Sequence, residues 1–241
     1  MTPTAHPPPA NVSARSELLR IKLDAAVSVS GLLLVPQRAS ACYVFAHGAG
    51  AGMKHRFMEN VASGLFDRGI ASLRYQFPYM ERGSRRPDAP ALAHATVRAA
   101  VAAARERCPK LPLVAGGKSF GGRMTSQAQA LAPLAGVQAM VFFGFPLHTA
   151  GKPSRERAKH LADVDVPMLF IQGTRDKLGE IELVRGIVKE LKPKASLHEV
   201  EGADHSLHVS AKAGRDAEVL NAVLDAMARW LASIIGEDRI G

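Results

Sequence analysis

The sequence predicts an α/β fold: a parallel sheet with helices on both of its faces, in one domain. Three observations carry that expectation. Short β-rich apolar runs alternate with helix-patterned segments, which is how a parallel sheet covered on both sides is encoded. No repeat period and no internal linker interrupts the alternation, because turn-rich stretches such as ERGSRRPDAP and HTAGKPSRER are short and lie between core elements. The composition, 47% apolar and 22% charged over 241 residues, suits a chain that buries its own core without help from a metal or disulfide.

Taken in order, Pro3, Pro7, Pro8 and Pro9 make residues 1–16 a loose tail, and one domain is expected over residues 17–241, starting near Glu17. LLRIKL and VSVSGLLLV read as a hairpin. ACYVFA, IASLRY, LPLVAGG, VQAMVFFG, PMLFIQG and SLHEVEG follow as strands that end in turn chemistry. The clearest helix opens with Asp88 as N-cap and Pro90 in its first turn, runs through Ala-rich sequence to Arg107, and is stopped by Cys108-Pro109. Near the C-terminus Val219, Val223, Met227, Trp230 and Ile234 recur at helical spacing as a core-facing stripe that Gly236 ends.

Composition also bounds the partners. The 31 Lys and Arg against 22 Asp and Glu give a net charge of +9. The cations are scattered, however, and the densest groups lack the interleaved aromatics of a single-strand binder. Those groups are Arg82, Arg85 and Arg86, then Lys152, Arg155, Arg157 and Lys159. They are expected to be solvated or to form an anion-attracting rim, and no nucleic-acid partner is expected. Cys42 and Cys108 show no metal or disulfide-framework spacing, which suits a reducing compartment. The chain has neither an apolar signal-peptide core nor a membrane-length apolar window, so a cytoplasmic protein without a membrane partner is expected. Two cofactor motifs fail on single positions. A P-loop needs glycine where Pro112 stands, and a dinucleotide fingerprint starting at Gly48 needs glycine where Met53 stands. His205 and His208 have no third ligand at a recognisable spacing. Neither cofactor nor metal is expected.

The run LVAGGKSFGG places Ser119 inside G-x-S-x-G, directly after an apolar strand and before the helical GGRMTSQAQALA. A serine at such a turn occupies a strained backbone position, and glycines two before and two after it remove side chains that would collide with neighbours. Its hydroxyl needs a base within reach and a carboxylate to orient that base. PMLFIQG ends in Gly173-Thr174-Arg175-Asp176, which puts Asp176 at a carboxyl end, whereas Asp163 and Asp165 precede that strand. Of the downstream histidines His148, His160, His198, His205 and His208, only His205 follows the last strand directly and precedes the final helix, with His208 as the fallback. Backbone N–H donors for an oxyanion should come from Phe120 and from the loop His47-Gly48-Ala49-Gly50-Ala51-Gly52, where Ala49 is the first choice and Gly50 the alternative. His47 reads as a structural hydrogen-bonding residue.

HGAG, GGKSFGG, GTRD and ADHS, each ending an inferred strand, make the sequence resemble an α/β-hydrolase over nearly everything after the tail. FPYMERGSRRPD, GGKSFGGR, GFPLHTAGKP and LFIQGTRDKLG resemble more narrowly the small dienelactone-hydrolase-like branch, which includes a testis-expressed protein and a subunit of the NSL histone acetyltransferase complex. The resemblance implies a mostly parallel central sheet of about eight strands with no large cap domain, Ser119 as nucleophile, Asp176 as orienting acid and His205 as base. The expected activity is hydrolysis of a small ester, thioester or lactone through an acyl-enzyme. The alternatives are a non-catalytic interaction module on the same scaffold and a cofactor-free perhydrolase. The connection after VQAMVFF is too short for a cap domain, so an open site is expected. Gly50, Tyr79, Met80, Phe145, Pro146 and Leu147 are candidate substrate contacts, although ordinary packing explains the apolar ones equally well. Arg82, Arg85 and Arg86 suggest a carboxylate-bearing ester or lactone. Oligomeric state is left open.

Overall fold

The computed structural model describes residues 15–209 and 215–236. Eight strands form one sheet. They are β1 (Arg15–Lys22), β2 (Ser28–Val35), β3 (Ala41–Ala46), β4 (Ile70–Tyr75), β5 (Leu113–Lys118), β6 (Val137–Phe143), β7 (Met168–Gly173) and β8 (Ala195–Val200). The spatial order is β1-β2-β4-β3-β5-β6-β7-β8. The β1–β2 and β2–β4 pairs are antiparallel and all the others parallel; the β1–β2 hairpin and the mostly parallel sheet match the expectation. β1 is described from Arg15, slightly ahead of the expected start at Glu17; the rest of the expected tail lies outside the described residues.

The helices are α1 (Arg56–Asp67), α2 (Pro78–Glu81), α3 (Pro90–Arg107), α4 (Phe120–Leu131), α5 (Ile181–Glu190) and α6 (Arg215–Ile235), with a 3₁₀ stretch at Glu156–Asp163. α3, α4 and α5 cover one face of the sheet, and α1 and α6 cover the other. Every residue of β3 and of β7 is buried, since a strand between two helical layers has no wet side. β2 near the open edge instead alternates buried and half-buried positions.

Two local expectations are corrected. Asp88 is not the N-cap of α3. Ala89 holds that position without a side-chain cap, while the Asp88 carboxylate accepts from the Tyr79 amide (2.9 Å) and from Arg82 (2.7 Å), tying α2 to the loop before α3. The deep seam of α6 runs through Val223, Leu224, Met227, Leu231 and Ile235, whereas Val219, Trp230 and Ile234 flank it half-buried.

The chain leaves β3 toward β4 on one side and reaches β5 on the other. The carboxyl ends of β3 and β5 therefore border the crevice where doubly wound sheets take their ligands.

Candidate active site

Ser119 joins β5 to α4 with φ 49° and ψ −114°, a left-handed backbone that a residue with a side chain rarely adopts. Its N–H donates to the Phe143 carbonyl at 3.1 Å. The turn is held by close backbone approach. A methyl group at position 117 would lie 2.5 Å from the Ala46 carbonyl oxygen, and one at position 121 would lie 2.6 Å from the carbonyl oxygens of both Ala46 and His47. Only glycine fits at either place, and the serine hydroxyl stands at the N-terminus of α4, where negative charge is favoured.

The structure brings together three side chains that are distant in sequence. His205 Nε2 lies 2.8 Å from Ser119 Oγ, and His205 Nδ1 lies 2.7 Å from Asp176 Oδ2. Asp176 follows β7 and its side chain is fully buried, while His205, in the loop after β8, keeps 23% exposure. Beside the imidazole the carboxylate accepts from the Leu178 amide (2.8 Å) and from Gln172 Nε2 (2.7 Å). With those donors Asp176 is an acceptor toward His205. Nδ1 therefore carries the proton, and the Nε2 lone pair faces the serine hydroxyl.

The loop after β3 passes beside this group, for a methyl at Gly48 would lie 3.8 Å from Ser119 Cβ. Ala49 and Gly50 are exposed. The Gly50 N–H already donates to the Tyr79 hydroxyl at 3.1 Å, which favours Ala49 over Gly50 as a donor to a ligand. The Phe120 N–H, at the first position of α4, has no carbonyl of its own helix to reach. His47 is buried. Its Nδ1 donates to the Gly48 carbonyl (2.7 Å), its Nε2 accepts from the Phe77 amide (3.1 Å), and burial pushes its pKa down to about 4.

The other histidines are engaged elsewhere: His160 on Ser126, His208 on Asp216, His148 on the Thr149 carbonyl, and His198 within β8. Among the described residues no group of three or more His, Cys, Asp or Glu is placed to hold a metal ion.

The apolar substrate candidates are not on an open wall. Tyr79 is buried beneath the β3 loop, against Phe77 and Phe120. Phe145 packs on Phe142 and Phe170 in the core, and Pro146 and Leu147 are buried beside it. An apolar residue on a connection reads the same whether it faces core or crevice, and here packing takes all of them except half-buried Met80. Arg82 is drawn to Asp88, while Arg85 and Arg86 are exposed. A cleft of about 420 Å³ adjoins His205, bordered by Arg175, Lys177, Gly202, Asp204 and His208. Two site-adjacent residues escaped the sequence reading. Gln172 bridges Asp176, the Phe145 amide and the Gly179 carbonyl, and Lys118 reaches the His205 loop. The signal for Lys118 was a cation closing an otherwise wholly buried strand.

A mostly parallel eight-stranded sheet with a serine on the strand-to-helix turn at its crevice defines the α/β-hydrolase class. The chain belongs to that family: the model of the alpha/beta hydrolase domain matches residues 39–232. Among solved structures, a dienelactone hydrolase from Anabaena variabilis is similar at 22% identity and TM-score 0.74, covering 92% of this chain and 98% of that one. A serine hydrolase without a lid from Xanthomonas campestris matches at 20% identity and TM-score 0.70, covering 89% and 94%. The Butyrivibrio proteoclasticus protein Est1E, in a structure with ferulic acid bound, matches at 16% identity and TM-score 0.69, covering 90% and 99%. At these identities the likeness is one of fold. No helix among the described residues is long and apolar enough to cross a membrane.

Proposed function

We propose that this chain is a serine hydrolase that cleaves a small ester, thioester or lactone by way of an acyl-enzyme. The observation that carries the reading is the unbroken hydrogen-bond chain from Ser119 Oγ through the His205 imidazole to the buried Asp176 carboxylate. His205 takes the hydroxyl proton as Oγ attacks the carbonyl carbon, then returns it to the leaving group. Water deprotonated by His205 attacks the acyl-enzyme, and the acid departs as Ser119 recovers its proton. Asp176 holds the imidazole in the working tautomer and stabilises its positive form. Negative charge on the former carbonyl oxygen is met by the N–H groups of Phe120 and Ala49, donors worth roughly 3–4 kcal/mol each in such sites.

The test is a panel of p-nitrophenyl esters and thioesters of increasing chain length and charge, with a fluorophosphonate probe, applied to wild type and Ser119→Ala. Ser119→Ala is expected to keep its fold and lose about 10³- to 10⁶-fold in kcat and all labelling. Equal labelling of both proteins would refute Ser119 as nucleophile. Halide oxidation dependent on peroxide would instead point to a perhydrolase, and an unlabelled chain held in a stable heteromeric complex to an interaction module.

A further inference from the structure

Lys118 ends β5 immediately before Ser119, and its side chain turns into the carboxyl edge of the sheet rather than out to water. Its ammonium donates to the main-chain carbonyl of His205 and stands 5.8 Å from the centroid of the Phe57 ring. Gly144, just after β6, shows how closely these groups are gathered. A methyl there would lie 2.7 Å from Lys118 Nζ, 2.9 Å from the His205 carbonyl oxygen and 3.4 Å from His205 Nδ1. The ammonium thus sits against the backbone of His205, on the side from which the ring is also approached. The charged groups that face it are Asp176 from the loop after β7 and Asp204 from the loop after β8. Burial pushes the ammonium down to about 8, and both carboxylates pull against that fall. An apolar side chain would fill the same space without the desolvation cost of a charge.

We propose that Lys118 is a positioning residue for the Ser119–His205 pair: its ammonium fixes the backbone that carries the imidazole and sets a positive charge beside the ring. The inference rests on the hydrolase reading. Two consequences follow from the geometry. Without the ammonium, the loop after β8 loses its tie to β5 and the imidazole wanders from Ser119 Oγ. Without its charge, one cation fewer stands between the Asp176 carboxylate and the pair it serves, and the acid limb of the reaction is expected to move.

The rate of fluorophosphonate labelling, followed against pH on the full chain, separates these effects. The wild-type rate is expected to fall on the acid side, where the general base can no longer take the serine proton. In Lys118→Met the plateau rate is expected to fall about ten- to hundredfold, and the acid limb to move up by about one pH unit. Gly144→Ala keeps the charge but, on a left-handed backbone, presses a methyl against both Lys118 Nζ and the His205 carbonyl; it is expected to slow labelling with a smaller displacement of the limb. A Lys118→Met protein that is slower but keeps the wild-type acid limb would overturn the proposal, because lost packing alone does not move a titration. Should that variant fail to fold, Gly144→Ala decides, and labelling at the wild-type rate would overturn the proposal. If the wild type takes no label, the hydrolase reading and this inference fall together. If it labels and neither variant differs from it, only the inference falls.

Discussion

His47 has its tautomer set by two backbone groups: the Gly48 carbonyl takes the Nδ1 proton and the Phe77 amide needs the Nε2 lone pair. A second proton on this ring would displace the Phe77 N–H and place a charge in the core. Its folded pKa of about 4 lies below the unfolded value near 6.5, so the unfolded chain binds the proton first as pH falls. Stability is full above about pH 6.5, declines through the window between the two values, and loses roughly 3 kcal/mol from this ring by about pH 4. His160, pushed down to about 4 by burial and by the nearby Arg123, acts in the same direction. Urea midpoints measured across that window should fall with pH, and more gently in His47→Gln, which starts from a lower stability at neutral pH. An equally steep decline in the variant would place the titrating group elsewhere. The meeting of Ser119, Asp176 and His205 was legible in sequence because each follows a recognisable strand, and the loops after strand ends converge on the crevice. Gln172 and Lys118 were not, because their importance lies in what surrounds them. A lysine in Gly-Lys-Ser carries no sign that its ammonium reaches a carbonyl more than eighty residues downstream.

Glycines in two helices of similar length show how far an element depends on its surroundings. Gly121, in the first turn of α4, lies where any side chain would strike two backbone oxygens of β3 and the loop after it, neither of which can swing aside. Gly121→Ala is expected to cost more than about 3 kcal/mol or to leave no folded protein. Gly186, inside α5, has nothing within 4 Å of where a methyl would go, and its φ is not in the left-handed region. Gly186→Ala should raise stability by about 1 kcal/mol through helix propensity alone. Thermal melts of the two variants test both halves of the contrast, and a Gly121→Ala protein as stable as wild type would contradict the packing described at the turn. Elements were less legible than strand order where several residues compete for one role. α6 has apolar side chains at Val219, Leu220, Val223, Leu224, Trp230, Leu231, Ile234 and Ile235, a face so broad that periodicity alone cannot choose its centre. Packing against α1 and the sheet chooses Val223, Leu224, Met227, Leu231 and Ile235. Asp88 was misread because a good capping residue is also a good partner for an arginine and a free amide, and α2 supplied both.

For the whole molecule, the alternation of strands and helices was the strongest sequence signal, and all eight strands fall on the apolar runs that predict them. The absence of a large cap was legible for the same reason, since the stretch between β6 and β7 has room only for a connection and one 3₁₀ segment. On the proposed function, an enzyme without a large cap to displace has no need of an oil–water boundary. Initial rates on a short-chain ester should therefore saturate smoothly as concentration passes the solubility limit. A sharp rise at that limit would indicate a covering element that opens.

The order of the elements along the chain has one more consequence on the proposed roles. A growing polypeptide leaves the ribosome with its hydroxyl-bearing turn complete while the imbalance between nucleophile and base is still total, because the imidazole arrives only after the strand at the far margin of the sheet has been made. On the proposed function, half-built or prematurely terminated copies carry an inert alcohol, and catalysis waits for the last strand to dock.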